Sequence, residues 1–189
     1  MAFEDYKTKD SVVIVYTGES KGKTSAGIGL MVRALGNRWS VAFIQFIKYW
    51  GVGEHVFIRD IQPLFKEQLH FYKGGKGFYK AGDLSAEFVS EEQHQQAAKE
   101  TFEEALRCVS SGKFDLVICD EINNALHDGL LTKAQFKELF DKRAPNTSLC
   151  LTGRNFPEDM LQYVDIATNM TKIKHHFDEK YLANKGIDF

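Results

Sequence analysis

Cysteine is scarce in this chain. There are three, Cys108, Cys119 and Cys150, and no two form a C-x-x-C pair. That argues against redox or thiol-metal chemistry. Cys119 and Cys150 fall within apolar runs and read as buried structural thiols, and free thiols point to the cytoplasm. An excess of one charge is also lacking. With 24 basic and 26 acidic residues the net charge is −2, so no electrostatic argument favours nucleic acid or an anionic membrane as partner. No apolar run approaches membrane-spanning length, and the first seven residues lack the basic-then-apolar pattern of a signal peptide. The six histidines have no metal-ligand spacing, and His175-His176 reads as solvated. Internal repeats, low-complexity tracts and interdomain linkers are missing too. These absences leave a single domain over residues 1–189, 43% hydrophobic, with a polar arm at 1–10 and a polar tail at 171–189.

What is present centres on residues 12–25. Val12 to Val15 is an apolar run that reads as a buried strand, Thr17 to Gly22 is a polar glycine turn, and Lys23-Thr24-Ser25 opens a helical pattern. Strand, glycine loop, Lys-Thr and helix form the layout of a phosphate-binding loop. Backbone N–H groups of Gly18, Glu19, Ser20, Lys21, Gly22, Lys23, Thr24 and Ser25 would converge on an anion at the positive end of the helix. Lys23 would neutralise phosphate oxygens, and the Thr24 hydroxyl can sit on Mg2+. The common spacing would put the first glycine at position 17, which is Thr17; Gly18 comes one place late.

The second strong signal is Phe114 to Glu121, an apolar strand ending in two carboxylates. At the C-terminal edge of a parallel sheet it brings Asp120 and Glu121 beside the phosphate loop. Asp120 resembles an acid that positions magnesium. Glu121 can bind the ion, orient a water or accept a proton; the plainer reading of both is a helix-start acid favoured by the dipole. Val41 to Ile47 is a further strand, in which Gln45 reads either as a satisfied buried amide or as part of the site. Gly51 to Gly53 breaks the chain and a short helix is expected after it, to Ile61; a strand is expected at Leu69–Tyr72, and a long helix from the Ser90 cap to Gly112. A helix at 132–142 and strands at Thr147–Thr152 and Asp165–Met170 complete the pattern. The glycine-rich segment Lys73 to Lys80 reads as a surface loop or a flap over a ligand. Arg154, just past a strand end, can reach a polyphosphate or make a surface ion pair. Strands alternating with helices predict an α/β fold, a mostly parallel sheet flanked by helices in a phosphate-loop, RecA-like nucleotide-binding architecture.

Together these segments resemble the phosphate-loop type of ATP:corrinoid adenosyltransferases. The resemblance rests on Tyr16 to Ser25, Arg33 to Gly36, Gln45 to Lys48, Gly77-Phe78, Asp120-Glu121, Leu151 to Arg154, Lys174-His175 and Gly186 to Phe189, in the family's order. It implies transfer of the 5′-deoxyadenosyl group of ATP to the cobalt(I) of a corrinoid, with triphosphate released. It also implies a homodimer supplied with electrons by a flavoprotein or other reductase. Lys23 and Glu121 are then the catalytic pair, and Gly18 to Ser25 with Arg154 bind ATP. Thr24, Asp120 and Glu121 are on the metal side, and Phe78, Tyr79 and Lys80 face the corrinoid. Two departures stand out: Glu19-Ser20 where the family has Asn-Gly, and Tyr79-Lys80 where it has Thr-Trp. The competing functions are a RecA-like ATPase, with Glu121 activating water, and a carrier that binds corrinoid or nucleotide without turnover.

Overall fold

A computed structural model describes residues 4–48, 51–77, 79 and 89–189. The short apolar runs form six strands: β1 Val13–Thr17, β2 Val41–Gln45, β3 Leu69–Lys73, β4 Leu116–Asp120, β5 Ser148–Thr152 and β6 Ile166–Asn169. Their spatial order is β3-β2-β4-β5-β1-β6, and every pairing is parallel. Parallel neighbours need long crossovers. The helices within those crossovers are α1 Lys23–Gly36, α2 Gly53–Phe65, α3 Glu91–Ser110, α4 Ile122–His127 and α5 Lys133–Asp141.

Helices cover both faces, which is why the central strands are apolar throughout. On one face Val15, Ile44, Val117 and Leu151 pack with Phe102 and Ala105 of α3 and Phe136 and Leu139 of α5. On the other, Ile14, Phe43, Ile118 and Cys150 pack with Met31 and Leu35 of α1 and Ile58 of α2. All three cysteines are buried, as expected. The pairing register sets Gln45 beside Asp120 and Tyr16 beside Thr152, so four strands end close together at one sheet edge. Among the described residues, no helix is long and apolar enough to cross a membrane.

Several elements differ from expectation. Helix α2 continues past Ile61 to Phe65 with Pro63 inside it. Pro63 is exposed in the last turn, where a missing N–H costs one hydrogen bond and little else. Helix α4 follows Glu121, in keeping with the helix-start reading of that acid, though its six residues are too few for a periodic signal. Strand β6 keeps to Ile166–Asn169, and all four residues are exposed on an open edge. The start of the glycine-rich segment is no free flap. Gly74 N–H donates to Gln45 O at 3.0 Å and Gly77 N–H to Ile47 O at 2.9 Å. A side chain at Gly75 would place its Cβ 2.3 Å from the Ile47 carbonyl carbon, so glycine allows this segment to lie against β2's extension.

A polar link joins β3 to α3. Glu104 Oε1 lies 2.6 Å from His70 Nε2, and the Arg107 guanidinium donates to both Glu104 oxygens. Arg107 first, then His70, hold the Glu104 carboxyl down at about 2. A carboxylate with a depressed pKa stabilises the fold above its unfolded value near 4.5, and that contribution fades as pH falls through the folded value. Glu104→Gln should therefore lower stability by about 1–2 kcal/mol at neutral pH, after discounting for its solvent-facing partners. Thermal melts from pH 7 downward should show the gap to wild type closing between about 4.5 and 2; a pH-independent gap would assign the loss to packing.

Candidate active site

The loop after β1 turns by means of two left-handed glycines, Gly18 at φ 102° and Gly22 at φ 109°. Gly18 is wedged against the end of β6. A Cβ there would lie 2.3 Å from Asn169 Oδ1 and 2.5 Å from Met170 O. Ser20 N–H donates to Met170 O at 3.0 Å, and Met170 N–H to Thr17 O at 2.8 Å, so the loop is laced to β6. Helix α1 begins at Lys23 with Gly22 as its cap and, unlike α3 and α5, has no side-chain cap or capping box. The first helical amides are thus left for another acceptor. Lys23 is buried, and its ammonium donates to Ser20 O across the loop. Burial lowers its pKa, while Glu121 and Asp120 act in the opposite sense and favour the charged form. Glu19 is exposed.

Asp120 is fully buried yet richly bonded. Its Oδ1 accepts from the Thr152 hydroxyl at 2.7 Å; its Oδ2 accepts from Gln45 Nε2 at 3.0 Å and the Thr24 hydroxyl at 3.3 Å. The Thr152 oxygen also accepts from Glu121 N–H at 3.0 Å, which locks the turn holding both acids. Glu121 itself stands in the left-handed region, φ 62°, as the residue that starts α4. This backbone kink swings it out of the strand toward Lys23, Lys48 and Arg154, whose charges it feels. Burial, then the Asp120 charge, push its carboxyl up to about 7. The expected meeting of loop and acids is therefore present: Lys23, Thr24, Asp120 and Glu121 lie at one site.

Arg154 is exposed and close enough to influence both Lys23 and Glu121. Its N–H donates to Asn124 Oδ1 at 2.6 Å, so α4 fixes the strand-end turn that carries it. Gln45, left open between two roles, is a satisfied buried amide whose partner is Asp120 at the edge of the site. Tyr79 is anchored on α3: its hydroxyl donates to Glu91 Oε1 at 2.6 Å, and its ring lies 5.3 Å from that of His94. Phe78 and Lys80 lie outside the described residues.

Sequence reasoning missed Glu54 and His55 on α2, and took Lys48 and the tail segment Gly186 to Phe189 only as part of the resemblance. Lys48 Nζ sits 2.6 Å from Glu54 Oε1 and 3.5 Å from the Thr24 hydroxyl, and His55 Nε2 lies 2.6 Å from Gln45 Oε1. Glu54 and His55 stand in a glycine-flanked stretch with no motif of their own. The tail folds back as well: Lys21 Nζ donates to Ile187 O at 2.8 Å and pairs with Asp188 Oδ1 at 2.7 Å. His175 and His176, expected in solvent, are half-buried near this tail, with His176 Nε2 3.8 Å from Asp188.

A parallel sheet with a glycine loop, an uncapped helix, a buried lysine and two strand-end acids defines a phosphate-loop nucleotide-binding protein of the α/β class. The fold is similar to that of the flagellar accessory protein FlaH from Methanocaldococcus jannaschii, with a TM-score of 0.54 and 14% identity over 85% of this chain and 71% of that one. The profile of the ATP:corrinoid adenosyltransferase family BtuR/CobO/CobP matches residues 9–189. A corrinoid adenosyltransferase from Sinorhizobium sp. is 32% identical, over 94% of this chain and 80% of its own length. Another from Pseudomonas aeruginosa is 30% identical, over 94% and 83%. The chain belongs to the ATP:corrinoid adenosyltransferase family.

Proposed function

We propose that this protein adenosylates a corrinoid by placing the triphosphate of ATP in the loop between Gly18 and Ser25, with Lys23 and Arg154 as its cations. The observation that carries the reading is the placement of buried Lys23 beside the uncapped start of α1 and across from Asp120 and Glu121. In the reaction, the cobalt(I) of the substrate attacks C5′ of ATP. The C5′–oxygen bond breaks, and its electron pair leaves on triphosphate. The nucleophile belongs to the substrate, so no protein nucleophile is needed. The protein's task is to align C5′ with cobalt and to stabilise the charge gathering on the leaving group. Lys23 and the loop amides meet that charge.

The donor set suits Mg2+: a hydroxyl from Thr24 and carboxylates from Asp120 and Glu121 are hard oxygen ligands, with no thiol or imidazole directly among them. Bound there, the ion would neutralise phosphate charge. The family resemblance assigns Phe78, Tyr79 and Lys80 to the corrinoid; of the three, Tyr79 is among the described residues. In this reading the whole of 1–189 is one catalytic domain, working as a homodimer in the cytoplasm with a flavoprotein or other reductase as electron donor.

The deciding test is product analysis with ATP and chemically reduced cobalamin. Triphosphate together with an adenosylated corrinoid is the expected result. ADP and phosphate formed without corrinoid would identify an ATPase instead, and binding of both ligands with no product would identify a carrier.

A further inference from the structure

We propose that His55 is a positioning residue for Asp120, acting through Gln45; the inference rests on the adenosyltransferase reading and on Mg2+ being held at the Thr24–Asp120 end of the site. The argument is one of hydrogen-bond direction. A carboxylate only accepts, so the Gln45 atom 3.0 Å from Asp120 Oδ2 must be its amide nitrogen. That turns Gln45 Oε1 the other way, where His55 Nε2 lies at 2.6 Å. An amide oxygen only accepts, so His55 must carry a proton on Nε2. The chain then runs one way: His55 donates to Gln45, and Gln45 donates to Asp120.

Gln45 and Asp120 are both fully buried, so neither can turn to water for a substitute partner. With the histidine donor gone, Gln45 Oε1 would be left without a partner, and an unmade buried hydrogen bond is costly. The amide would gain freedom to rotate, and a rotated amide points its oxygen at the carboxylate. Asp120 would keep Thr152 and Thr24 but lose the third donor that sets its plane. His55 is well placed to prevent this. Its backbone N–H donates to Val52 O at 3.0 Å in the first turn of α2, and its ring lies 5.7 Å from that of Phe71. The start of α2 thus holds a donor against the side-chain amide that bonds the buried acid. Partners of this indirect kind commonly change metal affinity by about 10- to 100-fold.

The test uses Mn2+ as a spectroscopic stand-in for Mg2+, titrated by electron paramagnetic resonance into the protein–ATP complex without corrinoid, so no turnover is involved. His55→Met, which has no donor, should weaken Mn2+ binding by about tenfold. His55→Gln, of matched length but with an amide N–H able to stand where Nε2 stood, should return it to within about threefold of wild type. The affinity for ATP in EDTA should move little in either variant, while the melting temperature should fall by a few degrees in His55→Met and recover in His55→Gln. In a Gln45→Leu background, His55→Met should cause no further loss, because both act along one chain. His55→Phe, which keeps a ring against Phe71, replaces the methionine variant should that not fold. Equal Mn2+ affinity in wild type and His55→Met, or equal losses in the Met and Gln variants, would overturn the inference alone. Wild-type protein that bound ATP but no Mn2+ would remove the metal reading and this inference with it.

Discussion

Lys23→Ala should lower the rate of adenosyl transfer by about 100- to 1,000-fold, the range seen when a preorganised charge partner is taken from a developing anion. Most of the fall is expected in kcat, because triphosphate gains charge as it leaves, and the loop amides still bind the ground state. The lysine is well suited to that part. It is buried, so its charge acts in a medium that screens poorly, and the acids Asp120 and Glu121 oppose its deprotonation. Lys23→Arg should rescue little. The loop closes on a single point charge bonded to Ser20 O, and a planar fork needs more room. Single-turnover assays with cobalt(I) substrate isolate this step; a wild-type rate for Lys23→Ala would remove the phosphate-loop assignment.

Gly18→Ala should be nearly as damaging, through geometry instead of charge. The added Cβ would lie 2.3, 2.5 and 2.7 Å from Asn169 Oδ1, Met170 O and Met170 N. Two of those atoms are backbone at the end of β6, and neither can turn aside. The left-handed φ of 102° adds about 1–2 kcal/mol of its own for any residue with a Cβ. Either β6 shifts or the loop opens, and both separate the amides that should face phosphate. ATP affinity should fall by more than about tenfold, with a melting temperature several degrees lower. Gly29→Ala is the matched control. Nothing lies within 4 Å of a Cβ there, and the position is inside α1, so alanine should stabilise by about 0.5–1 kcal/mol. Equal melting and ATP binding in the two variants would show that the contact with β6 does not shape the loop.

Much of this site was legible because its signals are local. Gly18, Gly22, Lys23 and Thr24 lie within seven residues, and Asp120-Glu121 closes an apolar strand. The late first glycine also has a structural counterpart. Gly18 rather than residue 17 takes the left-handed turn, while the Thr17 hydroxyl accepts from Phe156 N–H at 3.1 Å. What could not be read were the partners brought in from far along the chain. Nothing in Glu54 or His55 marks them as neighbours of Lys48 and Gln45; a parallel crossover and a helix start bring them there. The tail reads as polar and unpatterned, because its order comes from single contacts such as Lys21 with Asp188 instead of a repeating face. For helix α4 a start at the acids was readable, but its extent was not, since six residues carry no repeating face.

The loop's dependence on the distant end of the chain has a consequence for how the protein comes into being. Residues 17–22 are made early, but the strand that buttresses Gly18 and the segment that grips Lys21 lie between Ile166 and Asp188. A ribosome therefore displays the glycine loop long before it can supply the walls that hold it. Domains tend to order from the N-terminus as they emerge, yet here the first turn of the fold must wait for almost the last. Nascent chains halted before β6 should be unable to retain ATP, whereas chains released beyond Asp188 should capture it. The nucleotide then acts as a late ligand, drawing two segments far apart in sequence into the same closing step.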